Sequence, residues 1–170
     1  AASDVYKRQK YMFWGSFRGI WAIELADDGL SLKPGAGKRK IAGDQYEGTY
    51  IHKRDGYYYL IVSTGDFMKD YHVVVGRSRS LMGPYVDRAG RDMLGVHHEL
   101  VVGNGNGFVA PGHNAEFVTD DKGQDWMLYH TRLEVGGPRY LILDRIEWND
   151  GWPEVRGHVP ARSAEAPVFE

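Results

Sequence analysis

Short runs of β-branched and aromatic residues recur along the chain between Gly, Asp and Pro punctuation: YMFWGS, GIWAIEL, GTYIHK, YYYLIVST, YHVVVGRS, AEFVTD, DWMLYHT and RYLILDRIEW. The period is that of strands, and the pattern predicts an all-β fold with little helix. Two stretches superimpose without gaps, EGTYIHKRDGYYYLIVST (47–64) on NAEFVTDDKGQDWMLYHT (114–131), with turn residues at the same place. Each reads as a hairpin, and each is followed by a further strand and a closing turn. YMFWGSFRGIWAIEL matches the later half of the same unit when Ser16 is set on Ser63. A unit of about four strands repeating at ~40–50 residues points to propeller blades. The repeat therefore predicts a partial β-propeller with about two and a half blades, and a small sandwich of the same strands is the alternative.

The opening AASDVYKRQ shows no strand alternation, so residues 1–9 read as a foreign-looking or disordered segment, and residues 10–170 as the propeller part. Gly 22, Tyr 11 and Trp 5 supply turns and rings that stack on sugars. Lys+Arg 21 against Asp+Glu 23 leaves no basic stripe, which argues against a nucleic-acid partner and for a neutral substrate. Cys 0 removes disulfides, thiolate metal sites and a cysteine nucleophile. No apolar run approaches the ~18 residues of a membrane span. His97 and His98 point to opposite faces of an extended chain and read as loop residues. GNGNG lacks a following helix and is no phosphate cradle.

The strand ending WGSFRGIW, the hairpin opening YEGTYIHKRDGYYYLIVSTG, the segment VVVGRSRSLMGPY, the loop APGHNAEF and the terminal RYLILDRIEWNDGWP occur here in that order. Together they resemble glycoside hydrolase family 43, the five-bladed propellers that include arabinanases, arabinofuranosidases and β-xylosidases. The resemblance covers nearly everything from residue 11, and GSFRGIW and PGHN are most similar to the arabinanase branch. It implies an inverting hydrolase of arabinan or a related plant polysaccharide, secreted or periplasmic. A β-xylosidase or arabinofuranosidase of the same family, or a non-catalytic sugar-binding propeller, are the alternatives.

The resemblance gives Glu47 the role of general acid. Tyr46 and Tyr50 beside it are placed to desolvate its carboxyl. The family's tuning aspartate falls, by the Ser16 to Ser63 offset, before residue 1, and its general base lies further upstream; Asp4 sits in foreign-looking sequence and is not promoted. His113 resembles a histidine that supports a cation, calcium, through water, since imidazole is a poor direct ligand for that ion; a loop-capping histidine is the other reading. Asn114 aligns with Glu47 in the repeat, and Arg139 resembles an arginine that binds sugar beside the acid. Phe17 and Trp21, in the SFRGIW turn, are the candidates for sugar stacking, while Trp14, Trp126 and Trp148 are expected in the core.

Overall fold

In the computed structural model, residues 2–6 and 9–170 are described, with side chains from residue 9 onward. Fourteen strands make three four-stranded antiparallel sheets and a terminal hairpin; the only helical element among the described residues is a 3-10 turn, Arg156–His158. The first sheet runs in the order β1 (Ala2–Tyr6), β2 (Gln9–Trp14), β3 (Ile20–Leu25), β4 (Arg39–Ala42). The second runs β5 (Glu47–Arg54), β6 (Tyr57–Thr64), β7 (His72–Ser78), β8 (Glu99–Val102). In the third, β9 (Val109–Gly112) and β10 (Phe117–Thr119) both pair with β11 (Asp125–Arg132), which also pairs with β12 (Tyr140–Arg145). β13 (Glu147–Asn149) and β14 (Trp152–Glu154) close the chain as a separate hairpin. The fold class is all-β, as the hydrophobic pattern predicts.

The half unit expected at the start is completed by β1, whose residues pair in register from Ala2 opposite Phe13 to Tyr6 opposite Gln9. Residues 1, 7 and 8 of the segment set aside in the sequence lie outside the described residues. Backbone N–H and C=O groups along an open strand edge take a neighbour whatever its side chains, so β1 needs no alternation to form. Only the backbone of Asp4 is described.

Two turns show why the hairpins close where they do. Asp55 and Gly56 both adopt left-handed backbone (φ 49° and 76°), as do Asp150 and Gly151 (φ 51° and 72°). Paired positive φ values give the primed turn whose twist matches two antiparallel strands, and Asp-Gly is well suited to it. The second strands of the repeated hairpin match between copies, β6 and β11 keeping the predicted offset to within one residue, whereas the first is eight residues long in β5 and three in β10.

The chain divides into two compact units, Ala1–Val62 with Gly76–Glu99, and Ser63–Val75 with Leu100–Glu170. In the first, Phe13, Ile20, Ala22, Tyr58, Tyr59 and Leu60 are buried, and β5 packs against β2. In the second, Val73–Val75, Met127 and Tyr129 are buried. Tyr129 donates its hydroxyl to Oδ2 of the buried Asp144 at 2.5 Å. Burial pushes the Asp144 carboxyl up from its ordinary value, against the lowering pull of the Tyr129 and Ala161 donors, and burial with the neighbouring carboxylate holds the phenol well above its own.

Candidate active site

Glu47 is the first residue of β5, half-buried, and follows a turn in which Phe17 N–H donates to the Tyr46 carbonyl at 2.9 Å. Ser16 and Glu47 form a β-bridge, and the Ser16 hydroxyl donates to Glu47 Oε2 at 2.9 Å. The end of one sheet's inner hairpin thus fixes the carboxyl that opens the next. Gly48, with φ 66°, gives the backbone the left-handed step that follows Glu47.

Tyr46 has a partner of its own. Its ring is fully buried, its hydroxyl hydrogen-bonds His98 Nδ1 at 2.8 Å, and the two rings meet edge to face at 5.7 Å. Burial pushes that phenol up to about 12. His98, expected as a plain loop residue, is therefore a partner of this core tyrosine. Its pairing spans 52 positions, and no local pattern announces such a contact.

Thr49 lies two residues beyond Glu47 in β5, past the left-handed step at Gly48. Its hydroxyl is buried without a hydrogen-bond partner among the described residues. Sequence reasoning missed it, because a Thr in a strand is ordinary; only its two-residue spacing from Glu47 could have marked it.

The aromatic candidates separate. Phe17 is 42% exposed and holds φ 50°, an uncommon backbone for a residue with a bulky side chain, which presents its ring to solvent. Trp21 is half-buried; its indole N–H donates to the Arg18 carbonyl at 3.0 Å, and the Lys38 ammonium sits 4.9 Å from its ring centroid with that of Lys40 at 6.0 Å. Lysines on the ring occupy the place a stacked sugar would take, so Phe17 is the better platform of the two. Trp126 is buried, as expected for a core ring.

In the second unit, His113 is exposed, has φ 52°, and donates its backbone N–H to the Ser63 hydroxyl at 2.8 Å. Asn114 beside it is 7% exposed; its amide N–H donates to the Ala115 carbonyl at 3.0 Å, while Oδ1 is buried with no partner among the described residues. No group of three or more His, Asp or Glu side chains able to hold a metal ion occurs among the described residues. An orphaned amide oxygen is a hard donor, and it fits an oxygen-seeking cation or that ion's bound water better than the imidazole does. Arg139 is exposed, with its guanidinium 5.8 Å from the Phe67 ring centroid. Buried Arg132 holds the loops on either side of that pair, donating to the carbonyls of Phe67 (3.2 Å) and Gly137.

The sequence profile described as glycosyl hydrolases family 43 matches residues 4–153. An "extracellular endo-alpha-(1->5)-L-arabinanase" of Thermotoga petrophila is 33% identical over 84% of this chain and 37% of its own length. An "extracellular exo-alpha-(1->5)-L-arabinofuranosidase" of Cellvibrio japonicus is 33% identical over 65% of this chain and 33% of its own. Among solved structures, the Cellvibrio cellulosa α-L-arabinanase complexed with arabinohexaose superimposes with a TM-score of 0.81 at 29% identity, covering 90% of this chain and 55% of that one. The chain thus spans between about a third and just over half of the length of these proteins.

Proposed function

Because the chain belongs to glycosyl hydrolases family 43, we propose that the protein cleaves arabinan, with Glu47 as the acid that gives its proton to the departing sugar oxygen. The carrying observation is the position of Glu47: a half-buried carboxyl at a strand start, oriented by the Ser16 hydroxyl at 2.9 Å. The named activities of the relatives supply the substrate, and their description as extracellular supports secretion.

The reaction is a single displacement. A protonated carboxyl on one side of the glycosidic bond assists departure, while a carboxylate ~6.5–9.5 Å away activates water on the opposite face. Glu47 takes the first role. None of the described carboxylates is assigned to the second. Ser16 holds the acid's Oε2. Phe17 supplies a ring to stack on a furanose, and Arg139 adds donors for hydroxyls. Calcium, held through water by Asn114 Oδ1 and His113, would supply a positive charge that supports a bound sugar.

In the full-length protein, Glu47→Gln should lower kcat on arabinan by roughly 10²–10⁴-fold while leaving binding intact. Retained turnover would overturn the assignment of the acid. A wild-type protein that binds arabinan and releases no product would identify a sugar-binding propeller instead. The exo-acting Cellvibrio relative favours a second reading, release of single arabinose units; the product spectrum, monomers or short oligomers, separates the two.

A further inference from the structure

In the first unit, the start of β6, the end of β7 and the loop after it enclose an open cavity of about 440 Å³. Its wall is basic. The guanidinium carbon of Arg79 lies 3.9 Å from the Tyr57 ring centroid and that of Arg77 4.5 Å from it. Arg79 Nη2 also donates to the Tyr57 hydroxyl at 2.9 Å, and Arg77 hydrogen-bonds Tyr59. Two like charges gathered on one ring build a positive potential, and the aromatic face holds them there at low cost.

The acids around this cavity already have cations of their own. Asp87, with its side chain fully buried, meets both Nε and Nη2 of Arg91 at 2.7 Å. Glu99 accepts the Arg88 backbone N–H at 2.8 Å and meets the Arg88 Nε at 3.5 Å. Arg79 has no carboxylate partner among the described residues. A guanidinium fixed against a ring through one edge still presents N–H groups along its others, in the forked geometry that matches a carboxylate.

We propose that this cavity binds a carboxylate-bearing saccharide, a uronate unit of an acidic polysaccharide. The carboxylate pairs with Arg79 and Arg77. The exposed Ser80 hydroxyl faces the sugar's own hydroxyls, and Pro84 offers a flat apolar side to its ring. The cavity is open at the surface, so a polymer can pass across it, and it has room for a sugar ring with its carboxylate. The choice of a saccharide over other carboxylates rests on the reading of the protein as a polysaccharide hydrolase; the carboxylate itself rests on the arginines alone. Such a site would hold the enzyme on an acidic polymer that carries its neutral substrate.

The test is calorimetric titration of the chain with trigalacturonate, arabinotriose and inorganic phosphate, at low and at moderate salt. Trigalacturonate should bind, more weakly as salt rises. Arg79→Ala and Arg77→Ala should each weaken that binding by about tenfold or more. Arg79→Lys should weaken it too, since an ammonium keeps the charge and loses the fork. None of these should alter the affinity for arabinotriose, and circular dichroism shows whether each variant is folded. Trigalacturonate binding unchanged in folded Arg79→Ala overturns the proposal, as does phosphate binding of equal strength. Both outcomes are independent of hydrolysis, which Glu47→Gln reports separately.

Discussion

Gly112 closes β9 immediately before His113, and its α-carbon faces the ring of Tyr71. A methyl group added there would overlap Cδ1 and Cε1 of that ring and lie 3.0 Å from its Cγ, where carbon atoms ordinarily rest at ~3.5–4.0 Å. The ring has nowhere to go: Tyr71 is 1% exposed and stacks on His130 at 5.8 Å. Gly112 itself is held in register opposite the same His130. Gly112→Ala should therefore cost about 1–3 kcal/mol, the range for an overpacked core, and toward its upper end because backbone and ring are both fixed. In urea, with a slope of ~1–3 kcal/mol/M, the unfolding midpoint should fall by about 1 M. Gly37→Ala is the control, since its added methyl meets nothing within 4 Å, and it should stay within about 0.5 kcal/mol of wild type. A Tyr71→Leu background isolates the cause, because a smaller neighbour makes room and Gly112→Ala should cost clearly less there. If Gly112→Ala costs as much beside leucine as beside tyrosine, or no more than Gly37→Ala, the close approach of ring and backbone is not what requires glycine ahead of His113.

Tyr129→Phe should cost about 0.5–1.5 kcal/mol, the worth of an intramolecular hydrogen bond, and an unchanged urea midpoint would refute it. Burial raises the Asp144 carboxyl, so its contribution is full below the ordinary value of 3.8 and fades as pH climbs through the raised one. Asp144→Asn should accordingly gain on wild type as pH rises above the ordinary value of 3.8, and a stability difference flat with pH would count against the raised carboxyl. Ser16→Ala removes the donor to Glu47, and kcat of the full-length protein on arabinan should drop roughly 2- to 10-fold with KM little changed; a rise in KM alone would make Ser16 a binding residue.

The sequence showed what depends on local chemistry. Asp-Gly at 55–56 and at 150–151 marked two hairpins because those dipeptides tolerate the backbone the turn demands. The unbroken apolar run of β6 marked a strand covered on both faces. What stayed hidden depends on distant partners. β1 forms through backbone pairing that leaves no side-chain period, and Tyr46 finds His98 across 52 positions. Trp21 looked like a sugar platform because nothing near it in the chain shows that Lys38 and Lys40 reach its ring. Glu47 became legible as an acid through family resemblance; its fixing by Ser16 could be inferred only from the repeat.

That repeat explains where chemistry resides in this scaffold. Ser16 and Ser63 occupy equivalent places, and each binds the start of the following hairpin: Ser16 the Glu47 carboxylate, Ser63 the backbone N–H of His113. The fastening is shared, but what it fastens differs, an acid in one copy and a His-Asn pair in the other. Laying 47–64 on 114–131 sets Tyr57 against Gln124, and carrying that second alignment into the next strand sets Arg77 against Asp144. In one copy an arginine lies over a tyrosine ring at the edge of a cavity, while in the other a carboxyl is sunk beneath Tyr129. Strand pairing and turn closure are satisfied equally well by both versions, so packing alone does not account for the choice. Divergence at superimposable positions, on a framework kept the same, is where selection for stability leaves room for function. By that reasoning the roles proposed for Glu47 and for the Arg77–Arg79 pair are two separate tasks of one repeated sheet, the first on the sugar bond and the second on the charge of the polymer.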